Sequence, residues 1–438
     1  MKTGAHRMRR AAGARLPVLL AVVSLGASGE TLDDAWRIAL ERDLSLAAAG
    51  SRVAAAEAGV GAARAERKPI VSTSVNALGL DRTPAFDFAG AGLPLELPLF
   101  DRSGLLLAAA NVTLPLYTAG RIGAGVQAAE AQLHAEREAA AGLSQQVKLG
   151  VAERYVGVLR AESALAVAEG LVASLAAHLR EVDDLYRGGS VPRNDLLAAS
   201  VSLADAEQRR SQAQNALDIA RAAYNRSLGR ALDAPVDLDR ALPGVDPRID
   251  AETLEALTAL AIARRSEPRR LASSADALAA EARAAQAATR PHLGLTGGYT
   301  RLDNEFLNRD DYWMVGVGVQ WSPFDGGRAR TRAESLSLQS SALRSQQRDL
   351  ESLIALEVRE AWLTRRETEE RIAVAERALE QAEENLRVVR DRYRNGEGTN
   401  TEVLDAEALR TTSLDNYDAA RHDAALARYR LAYAAGLL

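Results

Sequence analysis

Residues able to do chemistry are plentiful in this 438-residue chain, but they are not spaced for it. The five histidines, His6, His134, His178, His292 and His422, show no zinc-type pairing. Cysteine is absent, which removes thiol catalysis, thiolate metal ligation, a disulfide framework and a lipid anchor on an N-terminal cysteine. With only three methionines besides, nothing points to soft-metal handling. Tyr117-Thr118-Ala119-Gly120 lacks the spacing of a phosphate loop. The 59 Asp and Glu stand among 54 Lys and Arg along helix-forming sequence, where they read as solvated faces rather than acid–base pairs. The expectation is a protein that is not an enzyme and takes no cofactor or metal.

What the chain does carry is self-similarity. The tract Leu185 to Leu197 recurs 207 residues later as Arg392 to Leu404, with Tyr186 and Gly189 matched by Tyr393 and Gly396. Leu116-Tyr117-Thr118-Ala119-Gly120-Arg121 and Pro323-Phe324-Asp325-Gly326-Gly327-Arg328 keep the same offset. Two motifs at one offset mean an internal duplication.

Long helices must position these motifs. Leu165, Ala168, Val172, Leu175, Leu179, Val182 and Tyr186 step 4 and 3 in alternation, as do Ile372, Ala375, Leu379, Ala382, Leu386, Val389 and Tyr393. That rhythm is the seam of a left-handed coiled coil. No proline interrupts Gly120 to Tyr186 or Gly327 to Tyr393. Each segment can therefore be one helix of about 66 residues, ~100 Å long. The helical pattern resumes after each tract, so residues 186–195 and 393–402 read as reversals between antiparallel helices, with Gly189 and Gly396 in the turns.

Two windows, about 70–116 and 292–322, break the helical pattern with short β-rich segments. Val315 to Trp321 alternates apolar with small or polar residues, a period-2 strand. All five phenylalanines (Phe86, Phe88, Phe100, Phe306, Phe324) lie in or beside these windows, with Tyr117, Tyr299, Tyr312, Trp313 and Trp321. Strands of this length with aromatics near their ends suit a transmembrane β-barrel, and a small soluble hairpin domain is the plainer reading. Pro69 and Pro291 are 222 apart rather than 207, which places a 15-residue insertion in the first window, around Thr83 to Arg102. The expected organisation is a first repeat at 29–231, a linker at 232–250 rich in Pro and Asp, and a second repeat at 251–438. Each repeat reads helix, β-hairpin, long helix, turn, helix.

The N-terminus has the order of a secretory signal over 1–28: Lys2, Arg7, Arg9, Arg10 and Arg15, the apolar run Leu16 to Leu25, then small residues. Its removal takes five positive charges and no negative ones, moving the formal net charge from −5 to about −10. Such a chain is a poor partner for nucleic acid, whose phosphates need clustered Lys and Arg. No later apolar run is long enough to be a transmembrane helix.

These features together resemble the TolC-type outer-membrane efflux proteins. The resemblance covers essentially the whole chain after residue 28. It rests on the strand–helix junctions Gly120-Arg121 and Gly327-Arg328, and on the tip motif Tyr-x-x-Gly followed by an acidic residue and Leu-x-Ala (Asp195, Leu197, Ala199; Glu402, Leu404, Ala406). It implies a homotrimer, mainly α with a β-barrel portion. Long coiled-coil helices would form a periplasmic α-barrel, and four strands per protomer would complete a 12-stranded barrel in outer-membrane lipid. It implies an exit duct working with a periplasmic adaptor and an inner-membrane transporter. Carried over by motif position, Asp195, Glu402 and Asp405 are candidates for the aperture. The adaptor-docking candidates are Tyr186, Gly189, Val191, Leu197, Tyr393, Gly396, Gly398 and Leu404. The same acids are equally at home flanking helix starts. Some relatives carry a basic latch residue where Gly398 stands. The alternative is a soluble periplasmic coiled-coil adaptor, which ordinarily has one helical hairpin rather than two.

Overall fold

A computed structural model describes residues 29–81, 85–87, 89–98, 104–303 and 309–438. The expected signal segment, Thr83, Phe88, Phe100 and Phe306 lie outside the described residues. The first repeat comprises α1 (Leu32–Arg42), α2 (Leu44–Ala65), β1 (Ile70–Gly79), two three-residue strands β2 (Ala85–Asp87) and β3 (Glu96–Pro98), β4 (Gly104–Tyr117), α3 (Arg121–Arg187) and α4 (Arg193–Ser227). A short helix, α5 (Arg248–Ala251), lies in the linker. The second repeat comprises α6 (Leu254–Arg264), α7 (Ser266–Ala287), β5 (His292–Asp303), β6 (Asp311–Gln320), α8 (Arg328–Arg394) and α9 (Asn400–Ala434).

Helices α3 and α8 each have 67 residues, and α4 and α9 each have 35. One difference from the sequence reading is that the leading helix of each repeat is broken. Asp43 leaves helical geometry at ψ 120°, and its carboxylate caps α2 by accepting from the Ser45 and Leu46 amides at 2.8 and 3.1 Å. Arg265 makes the equivalent break at ψ 140°. No proline or glycine marks the first site, whereas Pro268 stands in the first turn of α7 after the second. The β2–β3 excursion occupies the stretch where the 15-residue insertion was expected.

Each strand-to-helix reversal uses two successive left-handed residues: Ala119 (φ 50°) and Gly120 (φ 87°), then Gly326 (φ 73°) and Gly327 (φ 86°). Glycine carries this conformation without the Cβ clash, which explains the Gly before each Arg in the repeated junction. The preceding residue supplies the cap. Thr118 Oγ1 accepts from the Ile122 amide at 3.4 Å, and Asp325 accepts from Gly327 and Ala329 at 3.1 and 2.9 Å. Arg121 reaches Glu66 at 3.3 Å, and Arg328 is exposed.

The two hairpins join into one antiparallel sheet of order β1-β4-β5-β6, so β1 and β6 are its free edges. Directly paired residues share a face. One face carries Val71 and Val75 of β1, Leu106, Ala108, Ala110 and Val112 of β4, Leu295 of β5, and Val315, Val317 and Val319 of β6. Tyr299 and Trp313, their rings 5.2 Å apart, stand at one end of this apolar band, and Trp321 follows its other end. The opposite face is mostly small and polar: Ser72, Ser74, Asn111, Thr113, Thr296, Thr300, Gly316, Gly318 and Gln320. Val315 is 80% exposed and Trp313 79%, so the protomer alone leaves the apolar face uncovered.

The long helices pack side by side in one layer. Near the sheet, α2 packs on α3, α3 on α7 and α7 on α8. Beyond the waist the order is α4, α3, α9, α8. Two apolar clusters hold the waist, one around Leu32, Tyr155, Leu159, Tyr224 and Leu238, the other around Ile249, Leu257, Ile354 and Leu431. The linker is tied down there. Glu30 pairs with Leu238, Arg230 grips the Glu30 carboxylate at 2.7 and 2.8 Å, and the Tyr429 hydroxyl donates to the Pro243 carbonyl at 2.6 Å. None of the helices among the described residues is long and apolar enough to cross a membrane.

Candidate functional site: the paired helical tips

The far ends of the long helices carry the repeated tract. α3 ends at Gly188 with Gly189 left-handed (φ 75°), and α8 ends at Asn395 with Gly396 left-handed (φ 77°). In both, the glycine amide donates three residues back, Gly189 to Tyr186 at 2.9 Å and Gly396 to Tyr393 at 3.0 Å. The next amide donates five residues back, Ser190 to Leu185 and Glu397 to Arg392, both at 2.9 Å. This is the Schellman stop, in which a left-handed glycine lets the last carbonyls find donors.

The chain then re-enters a helix differently in each repeat. Pro192 precedes α4 with no side-chain cap. Before α9, Thr399 Oγ1 accepts from the Glu402 amide at 3.3 Å, while Glu402 Oε2 accepts from the Thr399 amide at 3.0 Å. That reciprocal pair is a capping box. Glu402 is therefore engaged at the helix start, Asp405 is exposed one turn further on, and Asp195 is half-buried. A Cβ on Gly398 would lie 3.1 Å from the Tyr393 amide nitrogen and 3.2 Å from Glu402 Oε2. The close pass over the end of α8 is what keeps this position small.

Inside the tips, Val182, Ala199, Tyr393 and Val403 form an apolar core, with Leu179, Leu185, Val191, Leu196 and Val389 against it. Tyr393 and Leu404 thus face inward, Leu404 onto Leu171, Leu175 and Ala206. Tyr186 and Leu197 remain exposed. The two tyrosines share a motif position but not an environment: Tyr393 packs into the tip core and Tyr186 does not.

A polar set behind this core was missed by the sequence reading. His178 Nε2 lies 2.7 Å from Asn400 Oδ1, and Asn400 Nδ2 donates to the Asp195 carbonyl at 3.2 Å. Because the amide nitrogen is committed to a carbonyl, Oδ1 is the acceptor and Nε2 carries the proton. Two turns into α9, Glu407 is 1% exposed and bound by Arg390, with Ser174 donating to it at 2.6 Å. Its other oxygen, and the Tyr393 hydroxyl, have no partner among the described residues. Burial, then the nearby Asp195 and Glu181 charges, pushes the Tyr393 phenol up to about 12. The findable signal was a second seam on α3. Val167, Leu171 and His178 are buried alongside the first seam because α3 packs on both α4 and α9.

Among the described residues, no group of three or more His, Cys, Asp or Glu is arranged to hold a metal. The tips place Glu402 and Asp405 in the first turns of α9 and Asp195 in the first turn of α4, with Tyr186 and Leu197 exposed beside them.

The outer membrane efflux protein family model matches residues 36–230 and 257–437, omitting mainly the linker and the chain's N-terminus. The outer membrane efflux protein BepC of Brucella suis biovar 1 (strain 1330) is 23% identical over 420 residues, covering 94% of this chain and 86% of that protein. The fold is similar to that of the outer membrane protein VceC of Vibrio cholerae, with a TM-score of 0.79 at 18% identity over 92% of this chain and 96% of that one. It is also similar to the CmeC outer membrane channel of Campylobacter jejuni, with a TM-score of 0.78 at 13% identity over 98% and 94%. Two matched repeats, their joined hairpins and the duplicated tips agree with these likenesses, and the chain belongs to the outer membrane efflux protein family.

Proposed function

We propose that three copies close into one duct that crosses the outer membrane as a 12-stranded barrel and the periplasm as a helical tube. The observation that carries this is the two-faced sheet with two free edges. Unpaired strand edges are not tolerated in lipid, and four strands are too few to close on themselves. Pairing β6 of one copy with β1 of the next satisfies every edge. The apolar face with its aromatic ends then meets lipid, and the Ser, Thr, Asn and Gly face lines water. The helical margins support the same closure. Val201 and Ile219 on α4 and Leu353, Leu356 and Leu363 on α8 are exposed apolar side chains at opposite edges of the layer. The cysteine-free sequence permits a direct test. Single cysteines at Val75 and Val315 together should yield covalent trimers in the outer-membrane fraction with a short bismaleimide. Monomers recovered soluble without detergent would defeat the reading.

At the far end, threefold symmetry turns Asp195, Glu402 and Asp405 into carboxylate rings, which favour cations. The exposed Tyr186, Leu197 and neighbouring tip surface, shaped by Gly189, Val191, Gly396 and Gly398 and by Tyr393 and Leu404 beneath, would receive a periplasmic adaptor linked to an inner-membrane transporter. Replacing Glu402 and Asp405 with Ala should raise single-channel conductance and weaken block by multivalent cations in bilayer recordings. Because Glu402 also caps α9, Glu402→Gln serves as the companion variant, keeping a cap acceptor while removing the charge.

A further inference from the structure

A cavity of about 510 Å³ opens between α3, α9 and the linker, on the far side of the waist from the sheet. Its apolar wall is Leu159, Val167, Leu242 and Leu414, and its polar rim is Arg240, Arg410, Arg421, Asp418 and Glu162. Glu162 is already taken by Arg221 at 2.9 Å. Arg240, Arg410 and Arg421 have no ion-pair partner among the described residues, and the Arg421 guanidinium lies over the Tyr417 ring, 5.8 Å from its centroid. Three guanidinium groups thus meet one uncommitted carboxylate, Asp418, in a protein whose net charge is −5. Deeper in, Ser163 Oγ lies 3.1 Å from His422 Nε2, bridging α3 and α9. Burial lowers the His422 pKa despite Asp418, and Arg160 and Arg421 push it the same way. The imidazole is therefore neutral at pH 7 and available as a hydrogen-bonding group.

The coiled-coil architecture does not require these residues. Counted back 207 positions, Arg410, Arg421 and His422 correspond to Leu203, Gln214 and Asn215 in the first repeat, on a helix of the same length. Nor does assembly cover them. α3 and α9 are interior members of the layer, with α4 and α8 at its margins, so a ring closed through those margins leaves the cavity open.

We infer that this cavity is a binding site for a small amphipathic carboxylate, its apolar body lying against Leu159, Val167, Leu242 and Leu414 and its anionic head among Arg240, Arg410 and Arg421. A cavity of this size, apolar in its wall with a few convergent polar groups, is the form that small-molecule sites take. Planar guanidinium forks recognise carboxylates bidentately. Accessibility in the assembled trimer rests on the closure proposed above, whereas binding itself does not, so the two can fail separately.

The test is fluorine NMR titration of the purified full chain in lipid nanodiscs with 4-(trifluoromethyl)phenylacetate. The cation 4-(trifluoromethyl)benzylammonium serves as the matched control. The expected result is saturable binding of the anion, no saturable binding of the cation, and at least a tenfold loss of affinity when Arg410→Leu and Arg421→Gln are combined. Those substitutions install the first-repeat residues. Arg240→Gln, in the linker and outside the coiled coil, should weaken binding without touching helix packing. No saturable anion binding, equal binding of the cation, or unchanged affinity in both variants would overturn the assignment.

Discussion

At the first tip the chain turns through Gly188 and Gly189 and starts α4 at an uncapped Pro192, with Val191 pressed into the apolar core. At the second it turns through Asn395 and Gly396 and starts α9 with a capping box and a buried Asn400, and Val191 is answered by Gly398. The helices on either side have the same lengths, and both end in the same Schellman hydrogen bonds. Backbone geometry is therefore set by the seams and the left-handed glycine alone. The polar groups are an addition that makes one tip chemically unlike the other, and that addition ties α9 to α3 through His178.

The contrast predicts unequal sensitivity. Arg390→Ala removes the cation from a carboxylate that is 1% exposed, leaving Glu407 buried without charge compensation. The expected local loss is about 3 kcal/mol. Hydrogen exchange of amides around 386–410 should then quicken by roughly a hundredfold, while amides around 179–203 change far less. Equal quickening at both tips would mean that the polar set stabilises the bundle as a whole. Thr399→Ala breaks the capping box and should cost about 1 kcal/mol, read as faster exchange at the first turn of α9. Pro192→Ala, which removes no cap, should leave the start of α4 nearly unchanged.

A further effect is seen only at alkaline pH. Tyr393 is held protonated to about 12 in the folded tip, against ~10 in an unfolded chain. Its raised value contributes stability that is complete below pH 10 and is lost as pH rises from 10 through 12. Tyr393→Phe should flatten that alkaline decline. It should cost little at pH 7, because the hydroxyl has no hydrogen-bond partner among the described residues. A persistent decline in the variant would assign it to other groups.

How legible this was in the sequence depends on the kind of interaction. The 207-residue offset, the proline-free spans and the 3-4 rhythm carried the long helices, because coiled-coil packing is written periodically along one chain. The alternation in Val315 to Trp321 carried β6 in the same way. The break at Asp43 was not legible, because no proline or glycine spells it and its cap looks like any surface acid, whereas Pro268 in the first turn of α7 was an unread signal for the break at Arg265. His178, Asn400, Arg390 and Glu407 were missed because the contacts that join them to α3, His178 to Asn400 and Ser174 to Glu407, cross more than 200 residues, onto faces defined only once α3 is known to have two neighbours. The carboxylates Asp195, Glu402 and Asp405 came from a motif position, although Thr399-x-x-Glu402 spells a capping box and already set Glu402 apart from the other two.

The identical 67-residue lengths of α3 and α8 have an evolutionary consequence. Each residue added to such a helix turns everything beyond it by about 100° and advances it by 1.5 Å. A single-codon insertion anywhere between residues 121 and 187 would therefore rotate the first tip out of its seam and lift it out of level with the second. The sheet loop, by contrast, has accepted 15 residues without disturbing either repeat. Length variation among relatives of this chain should therefore gather at the strand loops and the linker. Where it enters the long helices, it should come in steps of seven residues, paired in both repeats.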